Sequence, residues 1–375
     1  HSHCHSGVFM KFHSQHLYSK EHFKTKYLAS KKAFLVGALY ASTLFLAFAP
    51  TASFAATPTN EVNLYTTREP KLIAPMLELF TANSSIKVNT VFVKDGLIER
   101  VKTEGTKSGA DVLMTVDIGN LLDLVEAQVV QPVNSKILNE AIPAYLRSSN
   151  NDWFALSLRD RVLYANVGSG IQSFEYESLS DPKFKGQVCI RSGQHPYNIA
   201  LIAAMIAHNG EAATETWLRG VKSNLARKAT GGDRNVARDI LGGICNIGIA
   251  NAYYAGQMKS ALAGSEQRAW GDAIKVIQPT FKKTGGTFVN ISGVALAKSS
   301  PNRENAVKLM EFLMSDAAQA LYADTNFEYP VKAGVKVNAV IESFGILKPD
   351  TMPLTEVAKY RKRASELVDQ VGFDQ

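Results

Sequence analysis

Three tyrosines carry the distinctive chemistry of this sequence: Tyr197 in "CIRSGQHPYN" and the adjacent pair Tyr253 and Tyr254 in "CNIGIANAYYAGQM". A phenol ordinarily gives up its proton near pH ~10 and is a poor ligand for most cations at neutrality. A strongly Lewis-acidic ion reverses this, because its own charge outweighs the proton affinity of the ligand. Fe3+, hard and trivalent, takes tyrosinate, as in the haem iron of catalase. Taken singly, each tyrosine reads as a half-buried aromatic with its hydroxyl bonded at a rim; three together point to a metal. The adjacent pair poses a geometric difficulty, since neighbouring side chains on a strand face opposite ways. The expected resolution is that the strand ends at about Asn251 and the chain turns as far as Gly256, so that both phenols fan onto one ion.

Convergence of the three depends on two cysteines. Cys189 in "GQVCIRSG" and Cys245 in "GGICNIGIA" are an even pair in a chain that reads as exported, which suggests a disulfide. The alternative is two buried thiols packed as small hydrophobes. If they are bridged, their strands are neighbours and Tyr197, Tyr253 and Tyr254 crowd one rim. A second group sits in "NLYTTREP", where Arg68 ends a strand ahead of a helix. A guanidinium beside helix N-terminal amides makes an anion site. The competing reading is a surface ion pair of Arg68 with Glu69 or a neighbour.

The elements that must hold these groups begin after a leader. "KTKYLASKK" is basic, "AFLVGALYASTLFLAFAP" is apolar, and small residues follow at Ser53 and Ala55, the pattern of a signal peptide over residues 1–55. The apolar run also has the length of an uncleaved anchor. Without those residues, Lys plus Arg falls from 41 to 35 and Asp plus Glu from 34 to 33, so the net charge drops from +7 to +2. Nucleic-acid binding thereby loses its support. Only His195 and His208 remain of 8 histidines, which disfavours imidazole-rich zinc or copper sites.

From residue 60 onward, short apolar strands alternate with amphipathic helices, as in layered α/β proteins. "VNLYTT", "IKVNTVFV" and "ADVLMTVD" read as strands; "KLIAPMLELFTANS" puts Leu72, Ile73, Met76, Leu77 and Phe80 on one helical face, with Pro75 tolerable only near its first turn. "WFALSLRDRVLYANVG" reads as two strand-like runs about a charged centre, long enough to cross between lobes. The expected organisation is an N-terminal lobe over 60–163, completed by about 286–340, a C-terminal lobe over 164–285, and C-terminal helices over 341–375. A chain that builds one lobe, crosses, and returns encloses a cleft, where ligands bind. No G-x-S-x-G, H-E-x-x-H or G-x-x-x-x-G-K-[ST] pattern is present. "TGGDRNVARD" contains glycines but follows no strand into a dinucleotide fold. An exported, two-lobed chain without enzyme motifs is expected to bind rather than catalyse.

The stretches "NLYTTREPKLIAPMLELF", "GADVLMTVDIGNLLDLVEAQVVQPV", "CIRSGQHPYN", "GICNIGIANAYYAGQM" and "GTFVNISGVALAKSS" together resemble the periplasmic ferric-ion-binding proteins of bacterial iron ABC transporters. The resemblance implies a type II periplasmic-binding-protein fold, two α/β lobes joined by hinge strands, in a monomer that serves a membrane permease and its ATPase. It places Tyr197, Tyr253 and Tyr254 on the family's phenolate positions. Many members carry a His-Tyr pair after the arginine matching Arg68; this sequence has Glu69 and Pro70. It is therefore similar to the subgroup using three tyrosines and a synergistic carbonate or bicarbonate, held by Arg68. Glu69, Arg159, Arg161, Arg191 and Asn290 are candidates for supporting contacts, each equally readable as structural. His195 is expected to hydrogen-bond in its loop, and Tyr329 to pack the returning chain. Two rivals stand beside this reading: the same fold carrying a small organic anion such as a sulfonate or sugar phosphate, and an exported transferase-like enzyme.

Overall fold

The computed structural model describes residues 60–375, within the second of two compact units, Pro58–Gln375. The leader expectation for residues 1–55 lies outside the described residues. Strand β1 (Glu61–Thr66) pairs in parallel with β2 (Lys87–Phe92) and β3 (Val112–Thr115). Helix Pro70–Ser84 joins β1 to β2 and buries Ile73, Met76, Leu77 and Phe80, the i, i+3, i+4, i+7 stripe that its spacing predicts. Pro75 lies in its second turn, beyond the expected tolerance, because Pro70 already starts the helix. Among the described residues the remaining strands are β4 (Val130–Gln131), β5 (Phe154–Asn166), β6 (Val188–Cys189), β7 (Ile247–Asn251), β8 (Ile274–Ile277), β9 (Val289–Ala297) and β10 (Tyr329–Pro330).

Strand β5 organises the molecule. Its residues 154–160 pair antiparallel with β9, while 161–166 pair with β7 and β8. The sheet order is β2-β1-β3-β9-β5-β7-β6. The cores divide along this strand: Phe154, Leu156 and Leu158 join β1, β3 and β9 in one cluster. Leu163 and Ala165 face a second, with Ile199, Ile202 and Ile249, and Val162 and Tyr164 a third on the other face of the sheet. Helices Leu354–Ala358 and Arg361–Val371 bring Val357, Ala364, Leu367 and Val368 to the second cluster.

Where two runs about a charged centre are expected, β5 is one unbroken strand whose centre, Arg159, Asp160 and Arg161, is buried. The arginines are answered by carboxylates, Arg159 by Glu328 at 3.7 Å and Arg161 by Asp233 at 2.9 Å. Asp160 has no such partner, and its Oδ2 lacks any hydrogen bond among the described residues. Burial pushes its carboxyl up to about 7, against hydrogen bonds from its own backbone and Gln278. In the unfolded chain the same group releases its proton near 3.8. Its favourable contribution is therefore complete below about pH 4 and is lost as the pH rises to about 7. Asp160→Asn is expected to remove this slope and to leave the protein more stable than the parent at pH 8 by on the order of 2–4 kcal/mol. Urea unfolding at pH 5 and pH 8 checks it; parallel losses in parent and variant would show that the native carboxyl is ionised at neutrality.

Candidate metal centre

The three tyrosines stand in the first turns of two helices that each follow a strand. Tyr197 is second in helix Pro196–Asn209, where Pro196 suits the first position, its missing N–H being unneeded there. Nδ1 of His195 accepts from the Tyr197 N–H at 3.2 Å and caps that helix. Burial, followed by the Arg191 charge, lowers His195 to about 4, so its ring is neutral and spent on the cap. Tyr253 and Tyr254 are second and third in helix Ala252–Lys259.

That helix corrects the expected turn as far as Gly256. Strand β7 does end at Asn251, but the chain goes directly into helix, and Gly256 lies within it. A Cβ at Gly256 would lie 2.6 Å from the ring of Phe327, so glycine there allows close approach rather than ending an element. Helical rotation of about 100° per residue, against 180° in a strand, brings the neighbouring phenols to one side. Their ring centroids are 4.4 Å apart.

Cys189 and Cys245 are joined by a disulfide. Strands β6 and β7, which lead into the two tyrosine helices, pair in parallel with Cys189 opposite Gly248. A Cβ at Gly248 would lie 2.3 Å from the Cys189 carbonyl oxygen, so this approach requires glycine. The Tyr253 hydroxyl donates to the Tyr197 hydroxyl at 2.8 Å, and the Tyr197 and Tyr254 oxygens are 3.5 Å apart. Burial, then the neighbouring Tyr197, pushes the Tyr253 phenol well up while the Arg159 charge opposes this; burial and Tyr197 also raise Tyr254. Such phenols keep their protons unless a strong Lewis acid displaces them.

Arginines surround the cluster. Arg161 and Arg191 lie over the Tyr197 ring, 5.7 and 5.3 Å from its centroid, and Arg234 lies 5.0 Å from that of Tyr254. Arg68 is not paired with Glu69. Its Nη2 meets the buried Glu328 at 3.0 Å and donates to Ser292 at 2.8 Å. Burial works against the Arg68 charge; Glu328, with smaller contributions from Tyr322, Tyr253 and Tyr197, outweighs it and holds the guanidinium above its ordinary value. Its Nε is buried without a hydrogen-bond partner among the described residues, as are Nε of Arg159 and Arg191. Of these three, the Arg159 Nε stands 3.7 Å from the Glu328 carboxylate.

Two expected supporting residues have their side-chain partners outside the tyrosine cluster. Glu69 is exposed and pairs with Lys71 at 3.4 Å, because it precedes the outward first turn of its helix. Asn290 accepts from the Ile118 N–H at 3.1 Å and donates to Asp117 at 2.8 Å, tying β9 to a neighbouring helix start. Tyr329 packs the returning chain, its hydroxyl donating to the Gly345 carbonyl at 3.0 Å. Sequence reasoning missed Asp233, Asn251 and Glu328. Asp233, from the "TGGDRNVARD" stretch, accepts from the Asn251 N–H and from Arg161, both at 2.9 Å, and Asn251 donates to the Tyr253 hydroxyl at 3.3 Å. The Asn-Ala-Tyr-Tyr run was a usable signal for Asn251; an acid between Phe327 and Tyr329 was one for Glu328.

The family described as bacterial extracellular solute-binding protein matches residues 107–344. Iron uptake protein A1 of Synechocystis is 40% identical over 330 residues, covering 86% of this chain and 91% of its own. Among solved structures, a Bordetella ferric binding protein is 67% identical with a TM-score of 0.83, covering 84% of this chain and 100% of its own. A Trichodesmium protein in complex with iron and citrate ligands is 38% identical with a TM-score of 0.78, over 84% of this chain and 99% of its own.

Proposed function

Since the chain belongs to the ferric-iron-binding proteins within the bacterial extracellular solute-binding family, we propose that it captures Fe3+ on the phenolates of Tyr197, Tyr253 and Tyr254 together with a bicarbonate or carbonate held by Arg68. The family is one of extracytoplasmic binding proteins with a type II binding-protein fold, not of enzymes. The observation that carries the reading is the meeting of three phenol oxygens, 2.8 and 3.5 Å apart, at the N-termini of two helices. Three phenolates neutralise Fe3+ and leave coordination positions for a small oxyanion, and Arg68 keeps a buried Nε without a hydrogen-bond partner among the described residues.

In this reading the protein acts as a periplasmic monomer that hands iron to an inner-membrane ABC permease driven by its ATPase. Closure over the ion removes water and strengthens the charge interactions at the site. Release follows protonation of the phenolates or the anion, or reduction to Fe2+, a weaker Lewis acid. The test is addition of ferric iron with and without bicarbonate. A visible phenolate-to-iron band, more intense with bicarbonate, is expected. Tight binding of a sulfonate or sugar phosphate with no such band would instead assign the cleft to an organic anion.

A further inference from the structure

Tyr197 reaches the centre by a less regular route than its two partners. Tyr253 and Tyr254 follow β7 directly, whereas β6 ends at Cys189 and residues 190–195 form a loop before helix Pro196–Asn209 begins. A loop has no ladder of backbone hydrogen bonds of its own, so its conformation depends on what its polar groups are tied to.

The ties run to helix Arg361–Val371 and the residues after it. The Asp374 carboxylate accepts from the Ser192 hydroxyl at 2.5 Å and from the Gly193 N–H at 2.7 Å. The Gln194 amide donates to the Ser365 carbonyl and to Asp369 Oδ1, both at 2.9 Å, and accepts from the Ser365 hydroxyl at 2.8 Å. A Cβ at Gly193 would lie 2.8 Å from the ring of Phe373 and 3.0 Å from Val368, so the loop backbone rests directly on the C-terminal residues. The restraint then passes toward the phenol. The Ser192 carbonyl accepts from the His195 N–H at 3.2 Å and from Asn198 Nδ2 at 3.0 Å, and His195 in turn caps the helix that carries Tyr197. Both side-chain hydrogen bonds of Asp374 among the described residues go to this loop, and neither reaches helix Ala252–Lys259.

We propose that Asp374 is a positioning residue for iron capture: it holds the loop over 190–195 so that the Tyr197 oxygen stands where those of Tyr253 and Tyr254 can share an ion with it. This rests on the three-phenolate reading above. A ligand held in its bound place before the ion arrives has less ordering left to do on binding, so loosening the loop weakens the contribution of Tyr197 alone.

The experiment titrates the full chain with ferric iron and bicarbonate at pH 7 against a competing chelator, reading affinity together with the phenolate-to-iron band. Asp374→Ala is expected to weaken iron binding by about ten-fold. Asp374→Asn, whose amide can still accept from Gly193 and meet the Ser192 hydroxyl, is expected to keep the parent affinity. In a Tyr197→Phe background Asp374→Ala is expected to cost nothing further, whereas in a Tyr254→Phe background it costs its full amount, about ten-fold. A general loosening of the fold would lower both backgrounds alike. Should Asp374→Ala fail to fold, Ser192→Ala removes one of the two bonds from the loop side and is expected to show the same pattern with a loss of about three-fold. Equal losses in the two backgrounds, no loss in the parent, or an Asn variant as weak as the Ala variant overturns the role of Asp374. A Tyr197→Phe variant that binds iron as the parent does, with the same band, overturns the phenolate reading instead, so the two failures are distinct.

Discussion

Replacing Tyr253 and Tyr254 together by Phe is expected to abolish the visible band formed with ferric iron and to weaken iron binding by at least roughly a thousand-fold, on the order of 4 kcal/mol. The substitution removes two oxygens and little else. Phe keeps the ring packing of the pair, whose centroids lie 4.4 Å apart. The hydrogen bonds lost are those from Tyr253 to Tyr197 at 2.8 Å, from Asn251 to Tyr253 at 3.3 Å and between Tyr197 and Tyr254 at 3.5 Å, together costing on the order of 1–2 kcal/mol of fold stability. Iron titration against a competing chelator, beside a thermal melt, separates the two effects. A folded double variant that retained the band and the affinity would remove these residues from the site. Tyr197→Phe is expected to weaken iron binding as well, but to leave a diminished band, since two phenols remain.

The second large effect lies behind the phenols. Arg161→Met is expected to destabilise the protein by about 3–5 kcal/mol, the usual cost of stranding one member of a buried ion pair. Both side chains are sealed off, Arg161 at 1% and Asp233 at 0% exposure, with Nη1 and Oδ2 at 2.9 Å. The guanidinium also donates to the Asn198 Oδ1 at 2.6 Å and to the Asn251 Oδ1 at 2.8 Å, so these two acceptors lose a donor while Asp233 keeps only the Asn251 N–H and Arg191. Asp233 and Asn251 position the tyrosine helix, and the surviving folded protein should therefore bind iron more weakly. Adding Asp233→Leu to Arg161→Met is expected to recover part of the stability, because the buried carboxylate is gone, less the cost of leaving Arg191, 3.6 Å from Asp233, without its partner, while iron binding stays impaired. Denaturant unfolding of the three variants measures this coupling. A single-variant loss below about 1 kcal/mol would mean that water reaches Asp233 and pairs it.

Asp160 tells the same story from the opposite side. Arg159 and Arg161 are tolerated in the middle of β5 because each has a carboxylate from a distant part of the chain. Asp160 between them has none, and responds by holding its proton to higher pH. One strand thus carries two solutions to charge burial, and only the arginines' solution connects to the phenols.

Residue types and local periodicity alone determined the alternation of strands and helices, the buried stripe of helix Pro70–Ser84, and the candidacy of Tyr197, Tyr253, Tyr254 and Arg68. These follow from properties visible within a few residues: side-chain spacing, proline and glycine placement, and the acidity of a phenol. Tertiary structure decided the rest. Gly256 reads locally as the end of a turn, yet it lies inside a helix, where the missing side chain leaves room for Phe327. Glu69, adjacent to Arg68, faces solvent, while Glu328, 260 residues away, takes the guanidinium. Desolvation makes that difference: ion pairing matters most where water is excluded, and the return of the chain through β9 and β10, not its local sequence, sets which groups share such a place.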